Sequence, residues 1–500
     1  MIRSVAVLVV ALVLRLAVLG YASRLPLFEH HRLDEVVYDE AGRAIAHGDL
    51  ALGHEVLHMS PGYSYFVGGV YAMLGDGPWP LRIVQLLLGL GTVALVMGAA
   101  RRLLGEPWGT LAGAIAALYG PLAFYESVLL DTTLSAFCYA LILWLVVPLA
   151  MTGRRWVLVG LVLGLAVILR PSALLLAVPL VVMARRPVWI VMLVGAIALV
   201  IAPVTLRNWM VAGEPVLVTD SGGLNFFIGN GKGANGTFRI PRDLPDATSA
   251  STQFPAFRRL AERHEGHALD SRGVDSFWYR TTWQHIGRAP RSALRLLAWK
   301  LELYWNAREL ANTEDYSFSR KVNPALVVVL GFALVGPLAL LGTILLCCGD
   351  RRHRLVGALN VVSCLGVVLF FVVGRYRMTA MPGLVIAAVH AAQRISSSRW
   401  LIVALGLCAV PVLWPTGLPD AFDDQWFKLG YAYHLRGEVG EAERCYLEAG
   451  HNLNAEKNLA TLYDTLGHRD EARTVWARLA ADAHDAGDTE RERLARSHLQ

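Results

Sequence analysis

The chain has 500 residues, 55% hydrophobic and 17% charged, with a formal net charge of +6. A soluble domain carries about 25% charged residues, and a single soluble core stops growing well before this length. The arginines stand beside apolar blocks, which reads as control of membrane topology rather than nucleic-acid binding, and the six cysteines form no Cys-x-x-Cys or Cys/His ligand spacing, which argues against structural metal and a disulfide framework.

The apolar residues are gathered into blocks of roughly 15 to 25 residues, the length a helix needs to cross a bilayer. They cover 5–21, 81–100, 107–122, 131–151, 156–169, 172–184, 188–204, 323–346, 355–373, 376–393 and 400–416. Only helices and closed barrels satisfy backbone polar groups in lipid, and the short alternating segments of a barrel are absent from the sequence. The expected fold is therefore all-α, a polytopic bundle of about eleven spans over residues 1–416.

Basic clusters at Arg101-Arg102, Arg154-Arg155, Arg185-Arg186, Arg351 to Arg354 and Arg394 to Arg399 orient the blocks. One threading places all five in the cytoplasm, with the N-terminus inside and Pro61 to Leu74 not crossing. It leaves loop 23–80, the turn Glu126 to Asp131, loop 205–322 and everything after residue 416 outside. The turns at Arg170-Pro171 and Gly374 to Arg377 face the same way. Charged chemistry thus concentrates on the outer face of a cytoplasmic membrane, which suits a surface enzyme. A flippase or transporter for a lipid-linked precursor would place polar residues at mid-depth in paired broken helices.

The first outer loop carries Asp34, Glu35, Asp39 and Glu40 within seven residues. On a helix Asp34 and Tyr38 share a face, and a carboxylate at the membrane surface can act as general base toward an acceptor hydroxyl. Glu126 and Asp131 form a second acidic turn beside aromatic residues. Arg170, Arg207, Arg375 and Arg377 are the outer exceptions to the positive-inside pattern. Their forks match phosphate oxygens, and a phosphate at this surface is the head of a lipid-linked substrate. The long loop opens with Arg207-Asn208 and a glycine- and asparagine-rich run from Gly222 to Asn230 that matches no P-loop or dinucleotide fingerprint.

Residues 417–500 are polar and helix-forming. Trp426, Leu429, Gly430, Tyr433, Ala442, Tyr446 and Ala449 fall at tetratricopeptide-repeat spacing, and Leu459, Ala460, Tyr463, Ala472, Trp476 and Leu479 make a looser second copy. Two repeats are fewer than a free-standing solenoid needs, so the tail is expected to lean on a partner. A non-catalytic assembly factor working through this tail is the other rival reading.

Together these pieces resemble the bacterial polytopic glycosyltransferases of the GT-C fold, close to the protein O-mannosyltransferase and aminoarabinose-transferase group. The resemblance runs over residues 1 to 395. It rests on Asp34-x-x-x-Tyr38 with Gly48-Asp49, Ser60-Pro61-Gly62-Tyr63, and Gly160 to Arg170-Pro171. It continues in Pro203-x-Thr205-x-Arg207-Asn208, Gly222-Gly223-Leu224-Asn225 with Gly229-Asn230, and Gly374-Arg375-Tyr376-Arg377. It implies inverting transfer of a sugar from a polyprenyl-phosphate donor to a protein, lipid or glycan acceptor, with or without a divalent cation (Mg2+ or Mn2+). Asp34 would be the base, and Asp131 or Glu126 the second acid. Glu35, Tyr38, Tyr63, Arg170, Arg207, Asn208, Asn225, Asn230, Arg375, Tyr376 and Arg377 would line the substrates. The chain departs from the pattern at Tyr125-Glu126, where an arginine usually precedes the acid, and at Pro61-Gly62.

Overall fold

The computed structural model describes residues 2–148, 151–241, 250–396 and 398–499, without the side chains of residues 250 and 251. Residues 149–150 of the block 131–151, residues 242–249 of the long loop and residue 397 of the Arg394 to Arg399 run lie outside them. Every named element is helical, and the described residues form no strand beyond an isolated parallel bridge between Tyr119 and Leu330. The described residues divide into two compact units.

The first unit spans residues 1–19, 32–313 and 325–416. Its opening helices are α1 (Ile2–Ala22), α2 (Asp34–Ala46), α3 (Pro61–Leu74) and α4 (Pro78–Leu104). Proline at the first turn starts α3 and α4, where its missing N–H costs nothing. Then come α5 (Glu106–Leu118), α6 (Gly120–Tyr125), α7 (Thr132–Val146), α8 (Gly153–Leu169), α9 (Ala177–Ala184) and α10 (Pro187–Ala212). The loop that follows folds into α11 (Gly222–Asn230), α12 (Ala250–Glu265), α13 (Ser271–Arg288) and α14 (Pro290–Trp305). After α15 (Tyr316–Val322), which belongs to the second unit, the first unit closes with α16 (Phe332–Cys347), α17 (Arg351–Val368), α18 (Gly374–Met378), α19 (Met381–Ile395) and α20 (Trp400–Leu413).

Among the described residues, three helices, α1, α4 and α10, are long and apolar enough to cross a membrane. Shorter apolar helices include α7, α16 and α20; at 1.5 Å per residue these reach only about 21 to 24 Å. The apolar blocks are therefore not all single spans. Block 107–122 breaks at Tyr119, whose extended backbone separates α5 from α6. Block 172–184 opens as a 3-10 turn over Pro171–Leu176, and 376–393 is divided between α18 and α19. A uniformly apolar run shows no helical face, so such breaks leave no trace in its periodicity.

Close helix pairs use small residues, as expected where lipid offers no hydrophobic drive between helices. A Cβ on Gly342 of α16 would run into the Ala387 carbonyl of α19, and one on Gly160 of α8 would lie 2.5 Å from the Leu193 carbonyl of α10. Bulkier residues would push both pairs apart.

The second unit comprises residues 20–31, 314–324 and 417–500. Its helices α21 (Phe422–Leu435), α22 (Val439–Glu448), α23 (Leu453–Leu466), α24 (Arg469–Ala486) and α25 (Thr489–Leu499) pack each against the next. Leu429, Tyr433, Ala442, Tyr446, Ala449, Leu459, Ala460, Tyr463, Ala472, Trp476 and Leu479 share one buried core. Leu25, Leu27 and Phe318 join that core, Phe318 meeting Trp426 edge-on at 4.9 Å between ring centroids. The unit is therefore larger than the segment 417–500 expected from the repeat alone.

Candidate active site

Four segments of the first unit bring the outer-loop acids and arginines together. Asp34 is the first residue of α2, where the helix dipole favours a carboxylate. It follows Leu33, whose φ of +49° is strained for a side chain of that size. Its Oδ2 lies 2.7 Å from Nη2 of Arg375, in the short helix α18. One turn along α2, Tyr38 is buried and meets Tyr63 edge-on at 4.8 Å between centroids. Burial, then the Asp131 and Asp34 carboxylates, push the Tyr38 phenol well above its ordinary range, while Arg375 and Arg170 pull against them. Tyr38 thus senses both acids and both arginines and stays a neutral donor.

Asp131 stands just before α7 and is 4% exposed. It holds Arg170, the residue that ends α8, through Nε at 3.2 Å and Nη2 at 2.8 and 3.0 Å, and it accepts a bond from Ser135 at 3.2 Å. Both guanidiniums lie over the Tyr376 ring, Arg170 at 4.3 Å and Arg375 at 5.3 Å from its centroid. Such ring contact offsets the repulsion between like charges. Arg170 Nη1 and Arg375 Nε are buried with no hydrogen-bond partner among the described residues. A buried charged donor left unmet is costly, and these two flank one ring.

The remaining candidates lie elsewhere. Glu126 is 5% exposed and paired with Arg15 of α1 at 2.8 Å, its carboxylate against Gly89 of α4. Arg207 reaches the carbonyls of Ala51, Leu52, Gly53 and Glu55, so it braces the first loop where Leu52 turns to a φ of +52°. Asn208 is fully buried and bonded to the Val216 and Val218 carbonyls. Asn230 bonds the Leu369 carbonyl and accepts from Lys300, whose amine burial pulls down to about 8. Asn225 reaches Ser221 at 3.5 Å. Arg377 donates to the Tyr304 and Asn306 carbonyls and pairs with Glu309 at 2.6 Å. Tyr63 donates to Gln85 at 2.5 Å, and Glu35 is buried within electrostatic reach of Arg82 and Tyr63. Asp34, Tyr38, Asp131, Arg170, Arg375 and Tyr376 come together; Glu126, Arg207, Asn208, Asn230 and Arg377 serve internal contacts.

Sequence reasoning missed Arg15 and Glu309 as partners and the pair His58–Asp220, 2.7 Å apart with His58 stacked on Phe254. Only the lone arginine in an apolar block gave a signal. Asp34 and Asp131, the acids that a divalent cation would use, are each paired with an arginine. The one ligand-compatible group among the described residues is His451, Glu456 and Asp482 of the second unit, where Arg478 already sits on Glu456.

Residues 58–207 match the family described as dolichyl-phosphate-mannose-protein mannosyltransferase. The matched stretch holds Asp131 and Arg170 but neither Asp34 nor Arg375. No curated protein matches the chain. Among solved structures, the chain is similar to the archaeal oligosaccharyltransferase AglB of Archaeoglobus fulgidus in complex with an inhibitory peptide and a dolichol-phosphate. That match has 11% identity, a TM-score of 0.38, and covers 86% of this chain and 58% of that one. The apo oligosaccharyltransferase of the same organism matches at 12% identity and TM-score 0.42, over 85% and 57%. ArnT of Cupriavidus metallidurans bound to undecaprenyl phosphate matches at 17% and 0.36, over 85% and 90%. The chain spans less than two thirds of the length of the oligosaccharyltransferases it matches.

Proposed function

We propose that this chain is a GT-C-type membrane glycosyltransferase that moves a sugar from a polyprenyl-phosphate donor to an acceptor on the outer face of the cytoplasmic membrane. The observation that carries the reading is the cluster about Tyr376: two arginines, each with a buried open donor and each beside an aspartate. Guanidinium forks bind phosphate oxygens in pairs, and the family matched by residues 58–207 is named for a polyprenyl-phosphate sugar donor of this kind. Arg170 and Arg375 receive the phosphate and hold the charge that grows on it as the sugar leaves. Asp34 takes the proton of the acceptor hydroxyl. Asp131 is a positioning residue that fixes Arg170, and Tyr38 offers a neutral hydroxyl between them. Attack from the side opposite the phosphate inverts the anomeric centre.

The positive-inside count supports a multi-pass protein with its N-terminus in the cytoplasm and residues after 416 outside it. The helical second unit has the buried small and aromatic pattern of tetratricopeptide repeats, and we assign it to engaging an acceptor or assembly protein. To test the reading, membranes carrying the protein are given a radiolabelled polyprenyl-phosphate sugar. Label should leave the donor with the wild-type chain and remain on it with Arg375→Ala. Equal donor loss in membranes lacking the protein would contradict it.

A further inference from the structure

We propose that donor phosphate unlocks the base: by drawing Arg375 off Asp34 it frees that carboxylate, so the acceptor is deprotonated only in a site that already holds donor. This rests on the transferase reading above.

The pairing seen here leaves no uncommitted charge. Asp34 has Arg375 at 2.7 Å, and Asp131 has Arg170 at 2.8 Å. With Arg375 on Oδ2, an acceptor hydroxyl meets a carboxylate already engaged by a cation. Arg375 is only 9% exposed, so it gives up Asp34 readily only to another anion within the same site. The open Arg375 Nε and Arg170 Nη1, on two guanidiniums stacked over Tyr376, are where that anion docks. A phosphodiester offers two oxygens to this pair of forks, a stronger match than one carboxylate each. The same exchange that seats the donor therefore leaves Asp34 Oδ2 open to the acceptor hydroxyl.

The transfer then balances without a further reactant. The acceptor O–H bond breaks and its proton goes to Asp34. The acceptor oxygen's electron pair forms the bond to the anomeric carbon. The bond from that carbon to phosphate breaks, and its pair stays on the lipid phosphate, which gains one negative charge and remains on the two arginines. When the lipid phosphate departs, Arg375 returns to Asp34 and the proton passes to water.

The test measures binding of undecaprenyl monophosphate to the purified full chain in nanodiscs. Competition by Asp34 should weaken wild-type binding, so Asp34→Asn should bind about ten-fold more tightly, as when a competing state is removed. Arg375→Lys should bind more weakly than wild type. Asp39→Asn removes an equal charge from the same helix, where Asp39 holds Arg43 and Tyr71, and should leave binding unchanged. A variant that fails to fold cannot bind more tightly, so the Asp34→Asn gain does not depend on assuming sound folding. Wild-type binding weakened by Arg375→Lys but unaltered by Asp34→Asn would overturn the lock and leave the transferase reading standing. Equal tightening by Asp39→Asn would also overturn the lock, reducing it to general repulsion. No binding by wild type or Asp34→Asn would overturn the transferase reading itself.

Discussion

Arg375 and Arg377 stand two residues apart on one five-residue helix and end in different surroundings. Arg377 is held by the Tyr304 and Asn306 carbonyls and by Glu309, and lies 3.7 Å over the Phe332 ring. Arg375 meets Asp34, lies over Tyr376, and keeps Nε open. Arg377 Nε also lacks a partner, but backbone carbonyls fix the rest of that fork and a ligand cannot displace them cheaply. Glu126 and Asp34 differ in the same way: Glu126 is sealed against Arg15 among helices, while the Asp34 side chain is 21% exposed. Residue type does not separate these roles; how the pair is enclosed does. A charge braced by backbone carbonyls or sealed among helices belongs to the fold, and one held only by a side chain at a partly exposed site is available to a substrate.

The comparison is broken most directly at Asp34. Asp34→Asn should lower sugar transfer by about 100-fold or more, the range for loss of a general base, with only a modest loss of melting temperature, because the Asn side-chain oxygen can still accept from Arg375 and the site is partly exposed. Next, Arg15→Ala leaves the buried Glu126 carboxylate without that cation and should cost about 3–5 kcal/mol of stability, and Arg377→Ala, which removes its bonds to two carbonyls and Glu309, should also destabilise; both are read as a lower melting temperature and poor yield of folded protein. Arg207→Ala removes charged hydrogen bonds from the loop carbonyls of residues 51–55, at about 1.5–3 kcal/mol. Proteolysis of the detergent-solubilised protein should then cut first within that loop.

The smallest effect concerns pH. Burial raises the Asp275 carboxyl to about 6, against the Gly223 N–H and with help from the Asp220 charge. Folding therefore favours its protonated form. That contribution is complete below the unfolded value of about 4 and is lost as pH rises through about 6. Asp275→Asn should flatten the melting temperature between pH 4 and pH 6; an unchanged slope would assign the dependence to another group.

Much of the site was legible because its residues break the pattern around them. Arg170, Arg375 and Tyr376 stand at ends of apolar blocks, apart from the five basic clusters that the positive-inside reading uses, and Asp34 opens an acidic run directly after the first block. What the sequence does not encode locally is partnership. That Arg377 turns to Glu309, Glu126 to Arg15, and Arg207 to four carbonyls of the first loop depends on segments up to 156 positions apart meeting in space. The break at Tyr119 and the 3-10 turn that opens block 172–184 were hidden by uniform hydrophobicity, whereas the turn at Arg170-Pro171 was read. In the second unit the spacing of small and aromatic residues predicted the buried core, whereas Leu25, Leu27 and Phe318 come from segments that carry no repeat pattern.

The most direct test of the whole account compares two acids at equal amounts of folded protein. Transfer from a radiolabelled polyprenyl-phosphate sugar is measured for wild type, Asp34→Asn and Glu126→Gln, with melting curves alongside. The account predicts that Asp34→Asn transfers almost no label and loses less melting temperature than Glu126→Gln, while Glu126→Gln melts clearly lower and transfers normally per folded molecule. Full transfer by Asp34→Asn, or transfer lost in Glu126→Gln without loss of stability, would contradict it.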